Sequence, residues 1–279
     1  MIAAWICRVP VRVHLFTGLV FPTTTGLKQK ILMATDKLTC ACATRVIPEG
    51  KGVKRDLEQF NITSKPLEII GNGNINGIDL EYFARTAEVE EKAQAYRKKD
   101  TTTFCFVGRM VRDKGINELV AAFEKLYQTH PDTRLLLVGP FEDALDPVLP
   151  ETKRVIEQHA AIEWMGWQKD IRPFLAASDV FVFPSYREGF PNVVIQAGAM
   201  GLPCLVTDIN GCNEIIEEGV NGCIIPSQDQ QALYEAMEKL LDTELRETLR
   251  QQARPQIANR YERKVLWKEL LQFYRSLEG

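Results

Sequence analysis

The sequence predicts an α/β architecture: an open, doubly wound, Rossmann-like parallel sheet, preceded by a smaller unit of the same class. Three observations carry this. From about residue 103 the short apolar runs TFCFVG, RLLLVG, IEWMG, VFVFPS, PCLVTD and CIIP recur, separated by helical stretches of one to two dozen residues. These runs are apolar without alternation, as expected of parallel strands covered on both faces by their crossover helices. Gly and Pro cluster where the runs end, which is where open α/β sheets gather their ligands.

Taken in order, residues 7–16 read as a buried strand, VRVHLF supplying the β-branched content. The apolar start MIAAWICRVPVRVHLFTGLVF lacks a basic leader, and Arg8, Pro10, Arg12 and His14 interrupt it, so strand and loop are expected there rather than a signal or anchor. The i, i+3, i+4 pattern predicts a helix over 26–43, and a short polar helix follows over 52–60. PLEIIGNG is strand-like, and the run GNGNINGIDLEYF (71–83) is rich in residues that tolerate left-handed turns. A boundary placed there divides the chain into 1–72, 73–262 and a terminal helix over 263–279. The last helix carries the stripe Val265, Leu266, Leu270, Phe273 and Leu277, expected to be core.

With 279 residues, 45% hydrophobic and 25% charged, the chain has ample material for two ordinary globular domains. Net charge is −3, but residues 1–60 carry nine Lys or Arg against four Asp or Glu, a local +5 on an acidic remainder of −8. A basic first portion suits an anionic surface nearby, such as phospholipid headgroups or a phosphorylated ligand, and a merely solvated face is the alternative. Nothing in the sequence points to nucleic acid. Seven scattered cysteines, of which only Cys40 and Cys42 lie close, suggest reduced thiols in a cytoplasmic protein rather than a metal centre.

Two constellations carry chemistry. In FVGRMVRDKGINEL a strand ends at Gly108, a basic loop follows, and a helix begins near Ile116 or Asn117. Arg109 and Lys114 thus stand at a strand's C-terminal edge and before a helix N-terminus, a combination that suits a diphosphate. A surface loop with scattered cations is the alternative, and the P-loop order is absent. In YREGFPNVVIQAGAMGLP, Glu188 occupies the loop after VFVFPS, Pro191 is expected in a first helical turn, and Gln196 lies about one turn inside the helix. Backbone amides over 190–193 would be free donors for an anion. His14 reads either as an acceptor-side group or as a satisfied buried histidine; His130 and His159, at helix ends, read as structural.

Together Gly108-Arg109…Lys114-Gly115, then E-G-F-P-N-x-x-x-x-A-x-A-x-G-x-P, then T-D-I-N-G-C-N-E-I-I resemble the retaining family 4 glycosyltransferases (glycosyl transferases group 1) of the GT-B fold, of the bacterial surface-polysaccharide type. The resemblance implies a C-terminal nucleotide-sugar-binding domain facing an acceptor domain, with the terminal helix crossing back. It places Arg109 and Lys114 on the donor diphosphate and Glu188 on the donor sugar, and it gives these three catalytic roles. Donor contacts then run through Gly108, Gly139, Met165, Gly166, Gly189, Phe190, Pro191, Asn192 and Val193. The second glutamate of the family's E-x7-E motif, which holds the ribose, is here Gln196. His14, Thr17 and Gly18 fall on the acceptor side, Thr17 nearest the position of a histidine common in the family. No D-x-D occurs, so no metal and no other cofactor is expected.

Only about 70 residues precede the boundary, where the family usually has roughly 150, so a truncated first domain with an open sheet edge is expected. The implied activity is transfer of a sugar, with retention, from a nucleotide-sugar donor to a lipid-linked or oligosaccharide acceptor in cell-surface glycan synthesis. The expected place is the cytoplasm, with peripheral contact at the inner face of an anionic membrane. A non-catalytic nucleotide-sugar-binding subunit, an inactive fragment and a GT-B nucleotide-sugar epimerase are the alternatives.

Overall fold

The computed structural model describes residues 1–144 and 146–277. Its larger sheet has six parallel strands, β3 (Thr102–Val107), β4 (Thr133–Val138), β5 (Ile162–Trp164), β6 (Val180–Phe183), β7 (Cys204–Thr207) and β8 (Gly222–Ile225), ordered β5-β4-β3-β6-β7-β8. The order reverses between β3 and β6, and that switch point opens a crevice above their C-terminal ends. A smaller sheet pairs β1 (Val13–Phe16) with β2 (Arg45–Pro48), also in parallel.

Helices α1 (Ile2–Ile6), α2 (Gly26–Cys42) and α3 (Lys51–Gln59) belong to the smaller unit. The larger one follows with α4 (Ala87–Gln94), α5 (Ile116–Thr129), α6 (Pro150–Gln158), α7 (Arg172–Ala176), α8 (Asn192–Ala199), α9 (Cys212–Ile215), α10 (Gln230–Lys239), α11 (Thr243–Tyr261) and α12 (Arg263–Arg275). Strands β3, β4 and β6 are buried almost throughout, which explains why their sequences do not alternate. One large core surrounds this sheet, and a second gathers Phe16, Phe21, Val46, Val53 and Leu57 around the smaller one.

A third cluster joins the two ends of the chain. Leu266 and Phe273 of α12 pack with Ile47 of β2 and Ile70, flanked by Leu270 and Leu277. The turn into α12 is pinned where Ile78 N–H donates to Tyr261 O and Arg263 N–H to Ile78 O.

Four local expectations need correction. Residues 7–16 do not form one strand: Ala-rich Ile2–Ile6 is helical, Arg8 is left-handed, and pairing to β2 begins only at Val13. Pro10, lacking an N–H, cannot extend that ladder. PLEIIGNG makes only a single bridge, Leu67 to Val46. Pro191 caps α8 with extended ψ instead of lying in its first turn. Val265 faces outward, 52% exposed, because α12 buries the face of Leu266 and Phe273. Residues 278 and 279, the end of the expected terminal segment, lie outside the described residues.

Candidate active site at the sheet switch point

Both constellations arrive at the crevice between β3 and β6. After β3 the chain turns at Gly108, and Arg109 extends into a half-exposed ion pair with Glu142, Nη1 to Oε2 at 2.7 Å. A short 3₁₀ turn over Arg112–Lys114 leads into α5. Gly115 closes it with φ +70°, where a Cβ would stand 2.1 Å from Pro184 O, so glycine alone lets this loop lie against the end of β6. That close approach delivers Lys114 to Glu188.

Lys114 Nζ and Glu188 Oε1 form a direct ion pair, with side chains only 14% and 16% exposed. Ser185 Oγ donates to the same carboxylate oxygen at 2.8 Å. Glu188 Oε2 accepts nothing among the described residues, so one oxygen of a fixed carboxyl group remains for a ligand hydroxyl. Ser185 is itself held, its carbonyl accepting from Thr207 Oγ1 at 2.5 Å. Around this pair, Arg187 Nη2 donates to Asp113 Oδ2 at 2.9 Å and Tyr186 Oη to Glu118 Oε1 at 2.6 Å. Burial first, then the bond to Glu118, pushes the Tyr186 phenol up and keeps it a donor.

The amides of Gly189, Phe190, Asn192 and Val193 find no acceptor among the described residues, leaving donors at the head of α8. Gln196, one turn further on, is half-buried, and its amide makes no hydrogen bond among the described residues. Gly139 and Gly166 stand together at the ends of β4 and β5, Gly139 N–H donating to Gly166 O at 2.8 Å. Met165 precedes Gly166, and Trp164 Nε1 donates to Gly139 O at 2.8 Å.

The smaller unit closes directly onto this loop. A Cβ on Gly189 would lie 1.8 Å from Thr17 O and 2.8 Å from the Gly18 Cα. Thr17 and Gly18, at the C-terminal end of β1, therefore meet the loop after β6 backbone to backbone. His14 sits inside β1, edge-on to Phe16 at 4.5 Å and 88°, and burial lowers its pKa, so the structure gives it a packing partner rather than contact with Glu188. Asn74 Nδ2 donates to Asn192 Oδ1 at 2.7 Å and ties the Gly-Asn-rich run to the head of α8.

Sequence reasoning missed the clasp beside the site. Glu214 Oε2 accepts from Lys51 N–H at 2.6 Å and Oε1 from Gly52 N–H at 2.9 Å, so a carboxylate of the larger unit caps α3 of the smaller. Asn210 Nδ2 adds a bond to Asp56 Oδ2 at 2.6 Å. Both residues lie in T-D-I-N-G-C-N-E-I-I, but their partners are more than 150 positions away in sequence, and no local spacing signals them. Glu49 was also missed: it is 5% exposed, its carboxyl finds no hydrogen-bond donor among the described residues, and burial raises that carboxyl to about 7.

Residues 101–243 match the family described as "Glycosyl transferases group 1". Capsular polysaccharide biosynthesis glycosyltransferase CapM of Staphylococcus aureus is 31% identical over 280 residues, covering 99% of this chain and 73% of the relative. The chain belongs to the group 1 glycosyl transferases. An Escherichia coli UDP-Gal:alpha-D-GlcNAc-diphosphoundecaprenol alpha-1,3-galactosyltransferase is 28% identical over 267 residues, covering 92% of this chain and 67% of that one. Among solved structures, Anabaena Alr3699/HepE in complex with UDP and glucose superposes with a TM-score of 0.85 at 20% identity, over 99% of this chain and 74% of that one. Sucrose-phosphate synthase from Thermosynechococcus elongatus superposes with a TM-score of 0.83 at 25% identity, over 98% and 70%. The fold is thus GT-B and the protein is a glycosyltransferase. Among the described residues no helix is long and apolar enough to cross a membrane.

Proposed function

We propose that this transferase moves a sugar, with retention, from a nucleoside diphosphate donor to a lipid-linked glycan acceptor in surface-polysaccharide synthesis, without a metal ion. The observation that carries the reading is the Lys114–Glu188–Ser185 cluster at the switch point, with Thr17 and Gly18 packed against its loop. Arg109 and Lys114 supply two cations for the departing diphosphate, and the open amides at the head of α8 add donors. Glu188 Oε2 receives a hydroxyl of the donor sugar, and Gln196 serves the ribose through its amide. On the front face, the acceptor hydroxyl attacks the anomeric carbon as the bond to the diphosphate oxygen breaks. The hydroxyl proton passes to that departing oxygen, and the two cations hold its charge. Support for the acceptor class comes from the E. coli relative, whose name states a diphosphoundecaprenol-linked acceptor. The basic residues of the first 60 positions suit peripheral attachment to an anionic inner leaflet.

Calorimetry with UDP, GDP and ADP, followed by a transfer assay with a lipid-linked acceptor, tests this. Lys114→Ala and Arg109→Ala should each weaken nucleoside diphosphate binding about ten- to a hundredfold, the loss of one charge-assisted contact of ~1.5–3 kcal/mol. Glu188→Gln should abolish most turnover while binding of the nucleotide itself persists. Unchanged affinity in both cation variants would sink the donor assignment, and binding without any turnover would favour a non-catalytic subunit.

A further inference from the structure

At the opposite end of the six-stranded sheet lies a cavity of about 550 Å³ to which the transfer chemistry gives no role. Its wall includes Arg85, Arg97, Lys98, Lys99 and Arg250, against the single carboxylate of Asp179. Thr103 and Asp179 mark the N-terminal ends of β3 and β6, so the length of a six-residue strand, ~20 Å, separates this cavity from Lys114 and Glu188.

The cations here exceed the carboxylates that answer them. Glu90 pairs with both Arg85 and Arg97, Glu163 with Lys98, and Asp179 reaches Arg250 only at 3.4 Å. Lys99 is exposed and has no acidic partner among the described residues. Partial burial lowers the pKa of Arg85 and of Arg246, and the charge of Arg250 adds to that lowering in both. Donors are also left over. Among the described residues, Nε of Arg250 in the cavity wall is buried without an acceptor, and behind the wall so is Nε of Arg134, a side chain 2% exposed that does not line the cavity but bonds Thr103 Oγ1, which does. Buried guanidinium donors without acceptors are costly and rare unless a ligand or water completes them.

We propose that this cavity binds a phosphate-bearing anion, a free phosphate or a lipid headgroup, at a site separate from the donor crevice. Several guanidinium N–H groups and one mobile ammonium suit a group with multiple charged oxygens better than a carboxylate. Calorimetry with inorganic diphosphate, and co-flotation with phosphatidylglycerol against phosphatidylcholine vesicles, test it on the full chain.

The expected result is saturable binding of one of these probes that survives Arg109→Ala combined with Lys114→Ala. It should weaken at least tenfold in Lys99→Glu and, independently, in Arg250→Gln. Lys99 is exposed, so its variant reads binding without a folding defect. Binding of diphosphate in solution assigns a free phosphate, and flotation that diphosphate does not displace assigns a headgroup. If neither probe binds, or if binding is lost in the Arg109/Lys114 variant and untouched by Lys99→Glu, the proposal fails.

Discussion

Glu188 and Glu49 are two carboxyls at the junction of the units, in opposite circumstances. Glu188 is paired with Lys114 and Ser185, while the Glu49 carboxyl is buried with no hydrogen-bond donor among the described residues, and burial lifts it from the ordinary 4.5 to about 7. A carboxyl whose folded-state pKa is raised gives its full stability below the unfolded value, and loses it as pH rises through the folded one. Native stability should therefore fall as pH rises from about 4.5 to about 7, by on the order of 1–3 kcal/mol from this residue. Glu49→Gln should be neutral at pH 5 and stabilising at pH 8.5 in urea unfolding. Equal stability of variant and native chain at both pH values would show that the native structure does not hold Glu49 as a buried acid. At this scale the sequence displayed which residue types were present but not which were left unpaired. Glu49 reads as an ordinary polar turn residue in PEG, and only the packing of Phe16, Asn74 and Phe190 around its backbone shows otherwise.

Elements were more legible than partners. The βαβ rhythm from residue 103 reveals six strands because all but the short edge strand β5, which carries Glu163, are centred on continuous apolar runs, and Gly108, Arg109 and Glu188 fall at strand ends for the same reason. The early elements were less legible: the pairing of β1 spans only four residues, and the apolar start is shared between a helix and a strand with Pro10 between them. The Glu214 cap on α3 was invisible because long-range contacts leave no spacing behind. The E-G-F loop shows how elements meet. Gly189 lets it touch Thr17 O, so Gly189→Ala must push the loop and the end of β1 apart, since backbone on both sides cannot yield as a flexible side chain would. Transfer should fall at least a hundredfold, while circular dichroism stays native and nucleoside diphosphate affinity changes less than tenfold. Retained transfer would mean that the contact between loop and β1 is dispensable to the reaction.

For the whole molecule, the two units are tied by clasps of different chemistry. Near the site they are polar, through Glu214 on α3 and Asn210 on Asp56. Elsewhere the tie is apolar, where α12 returns from the larger unit to cover Ile47 and Ile70 with Leu266 and Phe273. Leu266 is 3% exposed and Phe273 9%, so truncating either leaves a cavity that costs ~2–5 kcal/mol. That loss should not spread evenly. The six-stranded sheet has its own core, to which Leu266 and Phe273 do not belong, whereas β2 contributes Ile47 directly to the α12 cluster. Local opening follows the weakest set of buried contacts, so the smaller unit should open first. In Leu266→Ala, amide exchange should accelerate across β1, β2 and α12, while β3, β4 and β6 stay protected and nucleoside diphosphate still binds. Acceptor-dependent turnover should drop with the exchange, because Thr17 and Gly18 lose their fixed place against Gly189. Uniform acceleration over both sheets would instead make the molecule a single cooperative unit, and the proposed division of labour between a donor-binding sheet and acceptor-side strands would have no separate energetic basis.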